Sequence, residues 1–242
     1  MNSNLKFDDL GIVPCCARVQ VMLRAAVSAR VSLLNCLLLL RSAMNAFFAH
    51  FLRAVHSEYF AEFPLWCTPE GRVVGEFIKV RLESRFVAAF DEEGQPLGVV
   101  AGLHAIAPGG ESIGSEALSR LTRVSETPQV LDRFIRCLHL LNYLQGEHAG
   151  SGLVLPVSAL LLETVSQDHG RVFRQIVDQL DLPAQRIGFL LPASLAAQPD
   201  RLALLRNSYA HYGFASFLAL AEAPATVLTR IGGDPAAACC PH

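Results

Sequence analysis

The clearest pattern in the chain is an apolar stripe at helical spacing between residues 131 and 144. Apolar side chains recur there at steps of three and four residues, at Leu131, Phe134, Ile135, Leu138, Leu141 and Leu144. Thr127 is a suitable N-cap, and the residue that follows it, Pro128, suits the first helical position. The pattern predicts an amphipathic helix that begins at Pro128 and packs one face against a core.

Short apolar runs around this stripe predict buried strands that alternate with helices. The predicted strands cover residues 86–90, 97–100, 152–155, 187–191 and 214–220. The first two flank the turn residues Asp91 to Gly94, which predicts a hairpin. Helical patterns at residues 169–180 and 201–211 separate the last three strands. Such units, spaced about thirty residues apart, predict an α/β fold with a parallel sheet, either a barrel or an open doubly wound sheet.

The N-terminal segment, residues 19–54, is strongly apolar but carries several arginines. Its longest charge-free pieces, residues 31–40 and 42–52, fall short of the roughly 20 residues that cross a bilayer, so we expect no spanning helix. Three interpretations stay open: helices covered by protein, helices lying on a membrane surface, or a stretch upstream of a natural start at Met44. We predict an apolar helical extension at residues 1–65 and an α/β domain at residues 66–242.

Composition narrows the classes of protein to which the chain can belong. Of its 242 residues, 52% are hydrophobic and 17% are charged, which is enough apolar surface for a core and excludes a wholly disordered chain. The net charge of −2 gives no basic field, so no nucleic-acid partner is expected. Seven cysteines, including the adjacent pairs Cys15–Cys16 and Cys239–Cys240, fit no zinc spacing and predict a reduced, cytoplasmic chain.

The remaining motifs give no separate catalytic centre. No dinucleotide-binding G-x-G-x-x-G follows a predicted strand, and no phosphate-binding P-loop is present. Cys137 and His139 lie two residues apart on the predicted helix, so they face different sides and form no nucleophile–base pair. Structural roles are expected for the other candidates: a small buried hydrophobe at Cys137, a helix cap at Asp168, a core or loop position for His104, and a solvated helix face for Arg133 and Arg136.

The order of these segments resembles the EAL domain of bacterial cyclic-di-GMP signalling. Residues 84–91 and 95–104 stand where the family has its first hairpin, and residues 131–144, which begin Leu-Asp-Arg, resemble its long helix. Residues 153–159, 186–192 and 212–220 follow the order of its next strands. The resemblance covers roughly residues 81–220. It implies an α/β fold, a partial TIM-type (β/α) barrel preceded by apolar N-terminal helices, in a family that hydrolyses cyclic di-GMP with two divalent cations.

The family's signature residues are missing from this sequence. His104 stands where the family has an arginine, and the family's acidic and metal-ligating positions are occupied by Val100, Pro156, Leu190, Ala219 and Leu220. Mg²⁺ and Mn²⁺ need oxygen ligands, and these side chains supply none. We therefore expect no catalytic residue of the family type, no metal ligand and no Mg or Mn cofactor. The few residues after 220 imply a domain that is incomplete at its C-terminal end.

The favoured interpretation is a degenerate, non-catalytic EAL-like protein of the cytoplasm that acts through protein–protein contact. Its expected partner is an unidentified protein, with a second copy of the chain as one candidate. One alternative is a cyclic-di-GMP phosphodiesterase or binder with atypical site residues, against which Val87 and Ala88 replace the family's usual Gln-Pro. The other alternative is a signalling module associated with a membrane surface through residues 19–54.

Overall fold

A computed structural model of the protein describes residues 46–114, 117, 120, 128–164, 170–219 and 227–231. The predictions made for residues 1–45, Thr127, Asp168, Leu220 and the two adjacent cysteine pairs lie outside these ranges.

The first half of the sheet is antiparallel and follows chain order. Its strands are β1 (Leu65–Cys67), β2 (Val73–Phe77), β3 (Val80–Phe90), β4 (Pro96–Ile106) and the short β5 (Ser112–Ile113), which also pairs with β4. The predicted hairpin between β3 and β4 is confirmed, with Val87 opposite Val100. A two-residue turn, Ile78–Lys79, joins β2 to β3, because Phe77 and Val80 lie directly opposite each other.

The second half of the sheet is mainly parallel. Its strands are β6 (Leu153–Pro156), β7 (Ile187–Leu191), β8 (Ala215–Ala219) and β9 (Leu228–Arg230). Strand β6 lies parallel to β4 and β7, and β7 lies parallel to β8, while β9 pairs antiparallel with β8. The carboxyl ends of β4, β6, β7 and β8 therefore point the same way. This arrangement confirms the predicted α/β class and its parallel strands.

The helices lie between and before the strands. They are α1 (residues 46–59, with a π-helical turn at Leu52–His56), α2 (Pro128–Gln145), α3 (Ala159–Thr164), α4 (Arg171–Gln179) and α5 (Pro199–His211). Short 3₁₀ turns cover Ala184–Arg186 and Ala193–Ala197. Helix α2 confirms the predicted amphipathic helix, and its described part runs from Pro128 to Gln145. In the part of the chain that the structure describes, every helix is too short or too polar to span a bilayer.

One main hydrophobic core fills the space between these helices and one face of the sheet. Apolar residues of α2 meet strand residues there, among them Leu131, Phe134, Leu138, Leu155, Phe173 and Phe189. Each fully buried side chain of this size contributes about 1.5–3 kcal/mol. Phe47, Phe51 and Val55 of α1 belong to the same core. The division of the chain at residue 65 stays a prediction.

Candidate functional site

Side chains alternate between the two faces of a strand, so the sheet has a helix side and a second face. On β2, an added Cβ at Gly75 would meet the Phe134 ring of α2, which assigns Gly75 to the helix side. On β3 and β4 the helix side holds Leu82 and Ala101. The second face is the opposite one: residues 81, 83, 85, 87 and 89 of β3, the even-numbered residues of β4, and Val154, Pro156, Gly188, Leu190, Ala215 and Phe217.

A small apolar cluster lies on the second face. Its buried members are all strand residues: Ala89, Val154, Ala215, Phe217 and Leu228. Leu97, Val100 and Leu190 pack against it and are partly buried. The region is therefore held together by hydrophobic contacts between strands.

Three residues that the sequence resemblance assigns to the family's metal-ligand positions lie on the second face beside this cluster. Val100 lies opposite Val154, Pro156 lies opposite Leu190, and Leu190 lies opposite Phe217. Val100, Pro156 and Leu190 therefore share the second face. Pro156 and Leu190 lie at the carboxyl ends of β6 and β7, and Val100 lies near the middle of β4, two residues before their level in the register. Ala219 is the last residue of β8, and Leu220 lies outside the described residues.

The residues at these positions do not fit a pair of divalent cations. Val100, Pro156 and Leu190 carry no side-chain oxygen, whereas Mg²⁺ takes about six oxygen ligands. Among the described residues, no three His, Cys, Asp or Glu side chains lie close enough together to hold a metal ion. The side chains of Val100, Pro156 and Leu190 thus supply none of these oxygen ligands.

A charged group occupies the second face on the β3–β4 hairpin, which we call the hairpin cluster: Arg81, Glu83, Arg85 and His104. Arg81 Nη2 lies 2.6 Å from Glu83 Oε1, and Glu83 Oε2 lies 4.0 Å from Nδ1 of His104. Arg85 Nη2 lies 3.1 Å from Nδ1 and 3.3 Å from Nε2 of the same imidazole. The register places Glu83 opposite His104 and Arg85 opposite Gly102.

His104 lies near the carboxyl end of strand β4, and its ring has polar partners in Arg85 and Glu83. Its side chain is 21% exposed, so it is half-buried and is not a core residue. The sequence does carry a signal for the hairpin cluster, because Arg81, Glu83 and Arg85 alternate with the apolar positions of β3. Charged residues at period two predict a strand face away from the core.

The helix side holds an ion pair that the sequence does not predict. Arg136 is 3% exposed, so its expected position on a solvated helix face is wrong. Its Nη2 lies 2.5 Å from Oδ2 of Asp132, one turn earlier, and its guanidinium carbon lies 4.9 Å from the centre of the Phe189 ring. Burial raises the pKa of Asp132, against the opposing effect of Arg136. Arg133 is half-buried, and burial lowers its pKa.

A second buried polar group joins α2 to the hairpin strands. His139 Nδ1 lies 2.8 Å from the Ser84 hydroxyl, and the Asn142 amide bonds to both the N–H and the C=O of Val73. His139 is 2% exposed, and burial lowers its pKa to about 3. The imidazole is therefore neutral at pH 7. Ser84 and His139 thus form a part-buried hydrogen-bonded bridge between β3 and α2.

Cys137 occupies the buried position expected for it. The side chain is 1% exposed, and burial raises the pKa of its thiol, which keeps the sulfur protonated and unreactive. The hydrogen-bond partner of His139 is Ser84, in agreement with the expectation that Cys137 and His139 do not pair.

Comparison with known proteins adds structural matches only. No family model and no curated protein matches the sequence. The PaMucR phosphodiesterase in complex with c-di-GMP matches with a TM-score of 0.37 and 19% identity, over 56% of this chain and 56% of that one. A standalone versatile EAL protein from Vibrio cholerae O395, with c-di-GMP bound, matches with a TM-score of 0.38 and 17% identity, over 56% of each chain.

A third solved structure is similar over more of this chain. The EAL enzyme Bd1971 in its cAMP-bound form matches with a TM-score of 0.39 and 14% identity, over 83% of this chain and 49% of that one. The matched segments span about half the length of these three proteins. Over these segments the chain is similar in structure to solved EAL proteins.

Proposed function

We propose that this chain is a non-catalytic EAL-like protein of cyclic-di-GMP signalling that acts by contact with another protein. The observation that carries the proposal is the apolar character of Val100, Pro156 and Leu190, which share the second face of the sheet. A two-metal mechanism holds two cations a few Å apart between the attacking and leaving oxygens. Without oxygen ligands on these strands, neither cation is held.

The acidic residue of the hairpin cluster does not replace the missing ligands. Glu83 is paired with Arg81 at 2.6 Å, and one carboxylate leaves most of a cation's coordination sphere unfilled. We therefore expect neither Mg nor Mn as a cofactor, and no catalytic residue of the family type.

Exposed apolar side chains on the second face support contact with a protein. Val87 is 54% exposed, and Trp66, opposite Val74 on the sheet edge, is 38% exposed. Charged residues of the hairpin cluster adjoin Val87. Apolar surface rimmed by polar groups is typical of protein interfaces. We propose a cytoplasmic protein partner, with a second copy of the chain as the first candidate.

Catalysis is tested by incubating the full chain with cyclic di-GMP and Mn²⁺, with the PaMucR phosphodiesterase as a positive control. We expect no linear dinucleotide product from this chain, even at micromolar protein and overnight incubation. Product formation by the wild type that disappears in the Glu83→Gln variant would show a working site and overturn the proposal.

Contact between copies is tested by sedimentation of the wild type and of two variants over a range of concentrations. Val87→Asp places a charge on the second face, and Leu204→Asp, at a site 53% exposed on α5, is the matched control. We expect association that Val87→Asp weakens at least tenfold and Leu204→Asp leaves unchanged. A chain that stays monomeric throughout would rule out the second copy as partner.

A further inference from the structure

The outer edge of strand β1 is open within the described part of the chain. Strand β1 ends the sheet, and β2 is its one described neighbour. Its three side chains are uncharged, and Trp66 and Cys67 are exposed. Proteins commonly protect an edge strand from pairing with another chain by placing charged side chains on it. Strand β1 lacks this protection.

The bonds at the two ends of the β1–β2 ladder show which backbone groups of β1 face β2. The Glu76 N–H donates to the Pro64 carbonyl at 2.9 Å, and the Thr68 N–H donates to the Arg72 carbonyl at 2.7 Å. Hydrogen-bonded positions alternate along an antiparallel strand. Trp66 lies midway between Pro64 and Thr68, so its N–H and C=O also face β2.

The two residues between these positions, Leu65 and Cys67, present their N–H and C=O groups to the outer edge. The edge therefore carries two donors and two acceptors. Among the described residues, no backbone hydrogen bond reaches any of the four groups. A strand that lies along this edge in the matching register can bond to all of them.

A second copy of β1 provides this match in one antiparallel register. When Leu65 lies opposite Cys67 of the second copy, the pair exchanges two hydrogen bonds, and a two-fold axis repeats the pair. A shift of two residues in one direction places Leu65 opposite Pro69, which has no N–H. The opposite shift places Cys67 opposite Phe63, whose N–H already donates to the Phe60 carbonyl. The edge is thus complementary to itself in a single register.

The same register places Trp66 directly opposite Trp66 of the second copy, at the two-fold axis. This is a pair without backbone hydrogen bonds, in which the Cα atoms are about 4.5 Å apart and the side chains are closest. The side chain is 38% exposed in one copy. Directly opposed aromatic side chains stabilise neighbouring strands, so the indole rings favour this register too.

We propose that two copies of the chain pair antiparallel through β1, with their Trp66 residues opposite each other, and so form one continuous sheet. The inference rests on the contact between copies proposed above, and it names the element that aligns the two copies. Because β1 has three residues, the paired surface is small, and association is reversible and depends on concentration.

The backbone pairing is tested by sedimentation of the full chain and of two variants at one position. Cys67→Pro removes an outward N–H and leaves the bonds to β2 in place, since proline is tolerated on an edge strand when its nitrogen faces outward. Cys67→Ser changes the side chain but keeps the N–H, so it is the matched control. We expect Cys67→Pro to weaken association about tenfold or more, and Cys67→Ser to associate as the wild type does. Unchanged association in Cys67→Pro, or equal weakening in both variants, would overturn the pairing.

The register is tested by oxidation of Trp66→Cys in the Cys67→Ser background. Directly opposed strand positions of this kind lie within reach of a disulfide. We expect a covalent dimer whose cross-link maps to position 66 by mass spectrometry. Leu204→Cys, at a site 53% exposed on α5, is the control and is expected to give no cross-link at position 204.

The two experiments separate failure of the pairing from failure of the proposed function. A chain that stays monomeric at millimolar concentration would overturn every contact between copies. A chain that associates without a cross-link at position 66 would overturn the β1 pairing alone. Thermal unfolding checks that Cys67→Pro is folded, and if it is not, the cross-link decides.

Discussion

His139 makes the stability of the fold depend on pH. Its pKa is lowered to about 3 in the folded chain, whereas the unfolded imidazole titrates near its ordinary value of 6.5. Between these values the unfolded chain binds the additional proton, so stability is complete above pH 6.5 and falls as pH drops towards 3. From pH 7.5 to 5 the expected loss from His139 is about 2 kcal/mol.

The measurement is urea unfolding at pH 7.5 and pH 5, followed by the fluorescence of Trp66, which is the sole tryptophan of the sequence. His139→Gln is expected to remove most of the pH-dependent loss. His211→Gln, at an exposed histidine, is the control and should retain it. An equal fall in the free energy of unfolding in the wild type and in His139→Gln would show that groups other than His139 cause the pH dependence.

The Asp132–Arg136 pair is the second residue-scale determinant of stability. Asp132→Asn leaves the buried guanidinium without its counter-charge, and we expect a loss of about 3–5 kcal/mol in the free energy of unfolding. Replacing both residues, Asp132→Leu with Arg136→Met, is expected to recover most of this loss, because no uncompensated charge remains buried.

The matched control is a pair with the same spacing on a helix surface. Arg174 and Asp178 lie 2.7 Å apart, with side chains 37% and 53% exposed. Asp178→Asn is expected to cost about 0.5 kcal/mol or less, as surface ion pairs do. Similar losses in Asp132→Asn and Asp178→Asn would show that burial does not control the strength of the inner pair.

At the scale of elements, the turn between β2 and β3 is strained. Ile78 and Lys79 have φ angles of 48° and 61°, in the left-handed region that disfavours a β-branched side chain. Asn-Gly is the usual sequence of such a two-residue turn. Ile78→Asn with Lys79→Gly is expected to raise the free energy of unfolding by about 1 kcal/mol, measured in urea. A variant less stable than the wild type would show that the turn is not strained.

The sequence predicts an element only when the element is long enough to show a hydrophobic period or a continuous apolar run. The stripe of α2 and the five apolar residues of β7 carry clear periodicity or a clear run, and the structure confirms both. Strands β1 and β9 have three residues each, too few for a period to be visible. Helix α3 follows strand β6 within one largely apolar stretch, so the sequence does not show where the strand ends and the helix begins.

The candidate site was predictable in position but not in contacts. Spacing along the chain predicts Val100, Pro156 and Leu190 at strand ends, and the parallel register puts them on one face. Strand β4 continues to Ile106, so Val100 lies near its middle. By contrast, the contact of Arg85 with His104 depends on the hairpin register between β3 and β4. The burial of Arg136 depends on Asp132 one turn away, and a polar residue on a helix is assumed to face solvent unless that partner is considered.

At the scale of the whole molecule, the lack of side-chain oxygens at Val100, Pro156 and Leu190 has a thermodynamic consequence. A cation that binds only the folded state raises stability by mass action. We expect 1 mM Mn²⁺ to leave the midpoint of thermal unfolding within about 1 °C of its value in EDTA, because no three His, Cys, Asp or Glu side chains come together in the described part of the chain. A rise of several degrees would show that other residues hold the metal.

Strand β4 joins the antiparallel and parallel halves of the sheet along a very short contact. Its ladder with β6 comprises Val99 and Val100, and the β5 ladder begins at Ala105. Since Val99 N–H bonds towards β6, the N–H of Leu103 points to the same side, where the described residues offer no paired strand. Deuterium should therefore replace the amide hydrogen of Leu103 well before that of Val99, marking the place where the two halves separate first.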